Sequence, residues 1–227
     1  MPHTKRIAIG CGKKPKWITT QKPGSHPEER SVPLNVVVRD ILKFAQNARE
    51  ASKIINSGMI IVNGKVRKDV KYNVGLMDVI SIPKADKYYR VMPSVYGYGI
   101  TGLVFKEIPE GEAKIKLGKI TGKTIIHGGK VQLNMNNGYN IIVDDDNYHV
   151  NDVIVQDVLN GNIIEVLKFD KGKVAVTVSG RHAGHFGEIK ETIKGTENRK
   201  STTKLGDVNT LTDYIFVVGD KKPLITI

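Results

Sequence analysis

The sequence contains one cysteine, few aromatic residues and no long apolar run, and each absence excludes a class of protein. The lone Cys11 excludes an internal disulfide framework and a cysteine-cluster zinc site, and it fits a reducing compartment. No stretch approaches the roughly 18 apolar residues of a membrane helix, and the first residues lack the apolar core of a signal peptide. We therefore expect a cytoplasmic protein with no membrane partner.

Acidic residues are also scarce. The 227 residues include 23 Asp and Glu against 35 Lys and Arg, which gives a net charge of +12. Such an excess of positive charge indicates a polyanionic partner. Hydrophobic residues still make up 40% of the chain, so buried cores are expected, and the length favours two or three modest domains.

No motif with catalytic or metal-binding chemistry fits its required spacing. Gly118–Thr124 (GKITGKT) has three residues where a phosphate-binding P-loop needs four, and a strand and turn, not a helix, are expected after it. Asp144–Asn147 lacks the glycine and distant glutamate of a calcium loop, and His182 and His185 have no third ligand nearby. We therefore expect no enzyme, no cofactor, no metal and no small-molecule substrate.

Residues 1–31 read as a basic arm. Four prolines interrupt any regular element, and the acidic residues are only Glu28 and Glu29. The apolar Ile7, Ile9 and Trp17 would be costly in a solvated tail, so a partner is expected to bury them. We expect the arm to be unordered until it binds a polyanion. Its basic residues are Lys5, Arg6, Lys13, Lys14, Lys16, Lys22 and Arg30.

Two successive helices with basic stripes are expected next. Residues 32–45 predict a first helix whose apolar stripe ends at Ala45 and whose basic stripe contains Arg39 and Lys43. The second helix begins after Asn47, an N-cap residue, with Glu50 placed to complete a capping box. Its apolar stripe comprises Ala51, Ile54 and Ile55, and its basic stripe comprises Arg49 and Lys53.

A tight basic hairpin follows the second helix. Gly58 stands where a helix C-cap is wanted, and Asn63-Gly64 is the sequence typical of a two-residue turn between antiparallel strands. Lys65, Arg67 and Lys68 come directly after this turn. A charge stripe on one helix is usually a solvated face, but two stripes and a basic hairpin together favour nucleic-acid binding.

Short strands separated by turns are expected in the rest of the chain. A turn at Asn73–Gly75 and a strand closed by Pro83 complete the first compact domain. Tyrosines of the following link, such as Tyr88 and Tyr96, either pack or stack on bases. A short helix is expected from Pro109. The predicted strands are Val79–Ile82, Lys130–Leu133, Tyr139–Val143, Val153–Asp157, Ile163–Phe169, Lys173–Ser179, Glu188–Thr192 and Tyr214–Val218.

Residues 32–81 resemble the S4 RNA-binding domain, also called the alpha-L motif, through the second helix, SGMIIVNGKVRKD and DVISI. Nearly the whole chain resembles the S4e family of small-subunit ribosomal proteins. That resemblance rests on LNVVVRDILKFA, INSGMIIVNGKVRKDVKYNVGLMDVISI, VNDVIVQD, GNIIEVLKFDKGKVAVTVSGRHAGHFGEI and the N-terminal PHTKRIA. Lys173–Thr192 resembles a KOW motif, with Gly187 at its characteristic glycine. The chain also stops soon after its last strand, as archaeal members tend to.

The resemblance implies an α+β fold: a small alpha-L RNA-binding domain followed by two small mainly-β units, the last an SH3-like KOW barrel. The expected divisions are a basic arm at 1–31, the S4 domain at 32–83, a central domain at 84–170 and the KOW domain at 171–227. His182 and His185 lie where many KOW loops are more basic, so this loop departs from the family pattern and the resemblance does not imply RNA contact there.

The leading hypothesis is a structural, non-catalytic protein of the small ribosomal subunit, bound to ribosomal RNA and to neighbouring ribosomal proteins. A pseudouridine synthase carrying the same domain and a free translation or stress factor are the alternatives. In the leading hypothesis the arm threads between RNA helices while the first domain contacts phosphates. The expected RNA-binding residues are Lys5, Arg6, Lys13, Lys14, Lys16, Trp17, Arg39, Lys43, Arg49, Lys53, Lys65, Arg67 and Lys68.

Overall fold

A computed structural model of the chain describes residues 18–94, 102–144, 147–197 and 199–226. These residues are mostly β structure with few helices, and the chain divides into two compact units at residues 1–116 and 117–227. The arm residues Lys5, Arg6, Lys13, Lys14, Lys16 and Trp17, and the link tyrosines Tyr96 and Tyr98, lie outside the described residues.

The first unit contains a five-stranded antiparallel sheet in the order β3-β2-β5-β6-β7 and a separate pair, β1-β4. Three helices accompany these strands. The strands are β1 (Ser31–Pro33), β2 (Ile61–Val62), β3 (Lys65–Val66), β4 (Asn73–Gly75), β5 (Val79–Ile82), β6 (Lys87–Pro93) and β7 (Leu103–Glu107), and the helices are α1 (Leu34–Val36, extended by a wide turn over Val37–Ile41), α2 (Ala48–Asn56) and α3 (Glu110–Ala113).

The first predicted helix is wrong at both ends. Val32 and Pro33 belong to β1, which pairs with β4, and the backbone of Lys43 is left-handed at φ 55°, beyond the end of the helical turns. The predicted apolar stripe does face the core: Val38 and Ala45 are buried in it, and Ile41 and Leu42 pack against it. The ends differ from the prediction because strand pairing of Val32 and Pro33 with β4 outweighs their local helical preference.

The turn predicted at Asn73–Gly75 is also wrong. These residues form β4, in which Gly75 pairs with Ser31 and Val74 with Val32. The chain turns two residues after Gly75, at Met77, whose φ is 62°. Asparagine and glycine favour turns locally, but pairing with β1 outweighs that preference.

Strands β6 and β7 extend the sheet of the first unit. Arg90 of β6 pairs with Val79 of β5, so the sheet continues beyond residue 83. Tyr89 is buried in the core and Tyr88 packs against Val79 and Ile108, so these two tyrosines serve packing. The short helix expected after Pro109 is confirmed as α3.

Residues 18–31 pack on the first unit. Ile18 contacts the main core, the side-chain amide of Gln21 donates to the carbonyl of Glu28 at 2.8 Å, and the Lys22 backbone N–H donates to Lys71 O at 3.0 Å. The expectation that the whole arm lacks structure without RNA is therefore wrong for residues 18–31.

A buried carboxylate, that of Asp78, joins four separate segments of the first unit. Its Oδ2 lies 2.9 Å from Nε2 of His26 and accepts from the Gly75 N–H at 3.0 Å. Its Oδ1 accepts from Nδ2 of Asn63 at 2.7 Å and from Nζ of Lys116 at 3.3 Å. Asp78 is 0% exposed, so the cluster replaces all of the water that this carboxylate would otherwise bind.

The surroundings of Asp78 keep it ionised. Burial is the largest influence and by itself would raise the pKa of the carboxyl. The positive charges of His26 and Lys116, together with hydrogen bonds from His26 and Gly75, outweigh burial and hold the pKa of Asp78 well below its usual range. The anionic form is therefore the one that this fold requires.

The second unit contains two five-stranded sheets, ordered β10-β9-β8-β11-β12 and β16-β15-β14-β13-β17. The pairs β8-β9, β9-β10 and β11-β12 of the first sheet and all pairs of the second are antiparallel. The eight strands predicted from the sequence, including β5, agree with the structure to within two residues at each end. The strands of this unit are β8 (Ile115–Ile125), β9 (Val131–Met135), β10 (Asn140–Val143), β11 (Val153–Asp157), β12 (Ile163–Leu167), β13 (Val174–Thr177), β14 (Phe186–Ile193), β15 (Thr202–Leu205), β16 (Val208–Leu211) and β17 (Ile215–Gly219).

Lys119 ties the two sheets of the second unit together. Its Nζ donates to the carbonyl oxygens of Thr212, Asp213 and Ile215 at 2.8 to 3.2 Å. Burial lowers the pKa of Lys119 to about 8, only partly offset by the Asp213 charge. Lys119 lies in β8, the strand that also contains all of Gly118–Thr124, so the P-loop-like sequence is extended backbone.

The Asp78 cluster predicts a large loss of stability on neutralising this one carboxylate. Asp78→Asn removes the buried negative charge that His26 and Lys116 face, which we expect to lower the free energy of unfolding by about 3–5 kcal/mol. Urea unfolding followed by circular dichroism measures this change. Asp86→Asn is the matched control, because Asp86 is exposed and should change stability by less than about 0.5 kcal/mol. Equal effects of the two substitutions would contradict the role given to Asp78.

The lowered pKa of Asp78 also predicts how stability depends on pH. A carboxyl with a folded pKa below its unfolded value of about 3.9 contributes stability above that pH and loses it as the pH falls towards the folded pKa. Below about pH 5 the unfolding free energy of the wild type should therefore fall more steeply than that of Asp78→Asn, by up to about 1.4 kcal/mol per pH unit. Parallel curves would refute this explanation.

Candidate nucleic-acid interface

The second helix, α2, begins where the sequence predicts. The Asn47 side-chain oxygen accepts from the Glu50 N–H at 2.9 Å, which is the predicted N-cap. The Glu50 carboxylate accepts from the N–H of Gln46, not from that of Asn47, so the capping box reaches one residue further back than expected. The helix start is therefore fixed from both sides.

The faces of α2 separate apolar from basic residues as predicted. Ala51 and Ile55 are 0% exposed in the main core, and Ile54 packs partly against it. Arg49 and Lys53 lie four residues apart and are both exposed. Because residues four apart lie on one side of a helix, these two cations project from a single face of a rigid element.

The predicted hairpin is confirmed in detail. Asn63 and Gly64 have φ values of 49° and 73°, as a type I′ turn requires, and Lys65 pairs with Val62. The Asn63 side chain also holds the turn to the core, since it donates to Asp78 and accepts from the Val79 N–H at 2.9 Å. The turn is thus anchored as well as tight.

The hairpin lies against the end of α2. Gly58 has a φ of 76°, and a Cβ atom at this position would lie 3.1 Å from Cγ1 of Val66 and 3.5 Å from Cε of Lys68. The Lys68 side chain therefore runs beside the C-terminus of α2, where a positive charge is favourable. This contact brings Lys68 next to the element that presents Arg49 and Lys53.

Arg67 is held by an aromatic ring. Its guanidinium carbon lies 4.4 Å from the centroid of the Tyr72 ring, within cation–π distance. Its backbone N–H donates to Ile60 O at 3.1 Å, and its buried Nε has no hydrogen-bond partner in the described part of the chain. Arg67 is half-buried, and stacking on Tyr72 fixes the orientation of its guanidinium.

Arg39 and Lys43 do not share the geometry of the α2 pair. Two nitrogens of Arg39 donate to the Asp40 carboxylate at 2.8 and 2.7 Å, and this hydrogen bonding raises the pKa of Arg39. Lys43 is exposed but lies beyond the helical turns. The structure therefore places Lys68 of the hairpin beside the end of α2, and it does not extend a helical stripe through Arg39 and Lys43.

Several basic residues are unavailable to any ligand because they are buried. Arg90 is 0% exposed and donates to the carbonyls of Glu112 and Ile115, and burial lowers its pKa to about 10. Lys116 and Lys119 are each 5% exposed. The sequence offered one signal for them: a charged residue inside an apolar strand must find a buried partner.

Two negative findings apply to the described residues alone. No group of three or more His, Cys, Asp or Glu residues there is arranged to hold a metal ion, and His182 and His185 lie in the loop before β14. No helix within the described ranges is long and apolar enough to cross a membrane.

Family models match two adjacent parts of the chain. Residues 32–80 match the S4 domain, and residues 85–163 match the ribosomal family S4e. The S4 match contains α2, the hairpin and most of the Asp78 cluster, so the basic surface described above lies inside it.

Whole-chain relatives extend this likeness to both ends. The small ribosomal subunit protein eS4 of Methanosphaera stadtmanae is 44% identical over 220 residues, covering 95% of this chain and 89% of that protein. The eS4 protein of Ignicoccus hospitalis is 38% identical over 242 residues, covering 98% of this chain and 93% of that protein.

A solved structure agrees with both results. The crystal structure of the 30S ribosomal protein S4e from Thermoplasma acidophilum superposes with a TM-score of 0.74 at 32% identity, covering 84% of this chain and 96% of that one. Sequence, family models and fold point the same way, and the chain belongs to the ribosomal protein S4e family.

Proposed function

We propose that this protein is a structural constituent of the small ribosomal subunit that binds and stabilises ribosomal RNA through the basic surface of α2 and the β2–β3 hairpin. The observation that carries the proposal is the exposure of Arg49, Lys53, Lys65 and Lys68 on elements fixed by caps and the Asp78 cluster. Family membership supports a location on the cytoplasmic ribosome and a role without catalysis.

The chemistry of this surface suits structured RNA. Side chains cannot read the deep, narrow major groove of an RNA helix, so proteins recognise such helices by shape and by contacts to phosphates and 2′-hydroxyls. Cations on a capped helix and an anchored hairpin lose little conformational entropy when they meet phosphates. Recognition of this kind requires no base-specific contact and no reactive group.

The remaining predicted residues have graded parts in the proposal. Arg67, held flat on Tyr72, presents a planar guanidinium whose orientation is set before RNA arrives. Lys43 adds an exposed charge, and Arg39 must exchange its contact with Asp40 for one with phosphate. The arm, through Lys5, Arg6, Lys13, Lys14, Lys16 and Trp17, is proposed to thread between RNA helices.

We also propose a finer division of the chain into an arm and three domains. We assign an arm at 1–31, an alpha-L domain at 32–83, a central β domain at 84–170 and an SH3-like KOW domain at 171–227. Gly187 supports the KOW assignment, because a Cβ atom there would lie 3.3 Å from the backbone nitrogen of Gly206. Such close approach of two backbones explains why glycine is needed at this position.

Neighbouring ribosomal proteins are proposed to contact the second unit. Its described surface carries large apolar side chains, including Ile125 at 78%, Leu159 at 72% and Ile164 at 59% exposure. A partner that covers these side chains would remove their apolar surface from water, which favours binding.

RNA binding by this surface should depend strongly on salt and on the α2 charges. If about six to eight phosphates are neutralised, the affinity for small-subunit ribosomal RNA should fall with a log-log salt slope of roughly −5 to −7, at about 0.9 per phosphate. The double variant Arg49→Glu, Lys53→Glu should weaken binding. It should also make the log-log slope shallower by about 0.9 for each of the two phosphate contacts that it removes. Filter binding at several salt concentrations measures both quantities.

Charge reversal elsewhere provides the control. Lys84 and Lys114 are exposed on the first unit but lie outside α2 and the hairpin. Lys84→Glu, Lys114→Glu makes the same change in net charge and should leave most of the affinity intact. A salt slope near zero for the wild type, or equal losses in the two double variants, would refute the proposed surface.

A further inference from the structure

A groove of about 730 Å³ lies on the last sheet of the second unit. Its floor is the outer face of β14, β15 and β16, and its walls come from the loop between β13 and β14 and from Tyr214. Among the described residues this groove shares no residue with the basic surface of α2 and the hairpin, because it is lined by residues 180–214 alone.

Strand register gives the groove two chemically different rows. Glu191 pairs with Lys204, which pairs with Asn209, and these three side chains form a polar row. Ile193, Thr202 and Leu211 form the next row by the same pairings, and it is more apolar, with Ile193 at 62% exposure. The opposite face of this sheet holds the buried Ile189 and Leu205.

An aromatic side chain bounds the groove in a fixed position. A Cβ atom on Gly180 would lie 3.2 Å from both Cδ2 and Cε2 of Tyr214, so the Gly180 backbone lies against one side of the ring. Gly180 has a φ of 85°, a conformation that side chains rarely adopt. The backbone O of Tyr214 accepts from Val178 N–H at 2.7 Å, which secures the residue from the other side.

Positive charge predominates around the groove. Its charged lining residues are Arg181, Lys204 and Glu191, and the adjoining residues 194–201 add Lys194, Arg199, Lys200 and Glu197. With the exposed Asp213 beside Tyr214, these are five cations against three carboxylates, and all eight side chains are exposed. The charge therefore complements an anionic ligand of extended form.

We propose that this groove binds a single-stranded segment of RNA, with a base against Tyr214 and the adjoining phosphates at Arg181 and Lys204. An aromatic ring beside cations is the arrangement by which proteins hold unpaired bases. The hydroxyl of Thr202 and the amide of Asn209 line the same floor, where they can donate to or accept from base edges. This second site rests on the proposed function, and it adds unpaired RNA to the structured RNA bound by the first unit.

RNA suits the groove better than an acidic peptide. A peptide that adds to a sheet bonds along a strand edge, whereas this groove crosses three paired strands on their outer face. A flat base fits beside the ring and over the apolar row, while the backbone phosphates stay with the cations at the rim. Binding of an acidic peptide in place of RNA is the alternative outcome of the test.

The test is fluorescence anisotropy of a labelled, unstructured RNA hexanucleotide of mixed sequence, titrated with the full chain. Tyr214→Leu should weaken binding at least about tenfold, the size of one lost base stack, while Tyr214→Phe should bind like the wild type. Arg181→Glu should weaken binding more than Lys171→Glu, which makes the same charge change at an exposed turn outside the groove. If Tyr214→Leu does not fold, the comparison of Arg181→Glu with Lys171→Glu still tests the proposal.

The same titration separates this site from the first. Arg49→Glu, Lys53→Glu should leave hexanucleotide binding within about twofold, and Arg181→Glu should leave binding of a ribosomal RNA duplex within about twofold. Equal effects of Arg181→Glu and Lys171→Glu, or unchanged binding in Tyr214→Leu, would overturn the proposal and leave the first site standing. Binding of a labelled hexaglutamate peptide, lost in Arg181→Glu, without binding of RNA would assign the groove to a protein and also overturn it.

Discussion

The ionised carboxylate of Asp78 is the constraint on which the first unit depends. It accepts from a segment near the N-terminus (His26), the hairpin turn (Asn63), strand β4 (Gly75) and the residue before the second unit (Lys116). No two of these donors lie within ten residues of each other along the chain. A single charge thus closes several loops at once, and its neutralisation would release all of them.

This constraint explains how a small unit presents a stable basic surface. The hairpin that carries Lys65 and Lys68 contains only two residues per strand, too few for independent stability. Asn63 supplies the missing support by linking the turn to Asp78 and Val79. Not all of the positive charge behind the net value of +12 is accessible to RNA, because Arg90, Lys116 and Lys119 are buried. Position, and not the number of cations, therefore defines the exposed basic surface.

Local signals predicted the parts of the structure that local physics controls. The cap at Asn47, the glycine at Gly58 and the Asn63-Gly64 turn each specify a backbone conformation by themselves, and all three are confirmed. The same holds for the eight short strands, which turn residues separate. The basic residues of α2 and the hairpin could therefore be grouped before any coordinates were known.

Pairings between distant residues could not be predicted in this way. Strand β4 exists because it pairs with β1, some forty residues earlier, and the first helix is short because Val32 joins that pair. The role of Asp78 required knowledge of four partners that no spacing reveals. The groove beside Tyr214 likewise depends on the register of β14, β15 and β16, of which only the first was expected.

The most direct test of RNA-dependent binding to the small subunit is sedimentation of the tagged protein with small ribosomal subunits through a high-salt sucrose gradient. An interface built from fixed cations and a structured scaffold predicts firm migration of the wild type with the subunit, and release of Arg49→Glu, Lys53→Glu into the soluble fraction. A wild-type protein that stays at the top of the gradient would contradict the account.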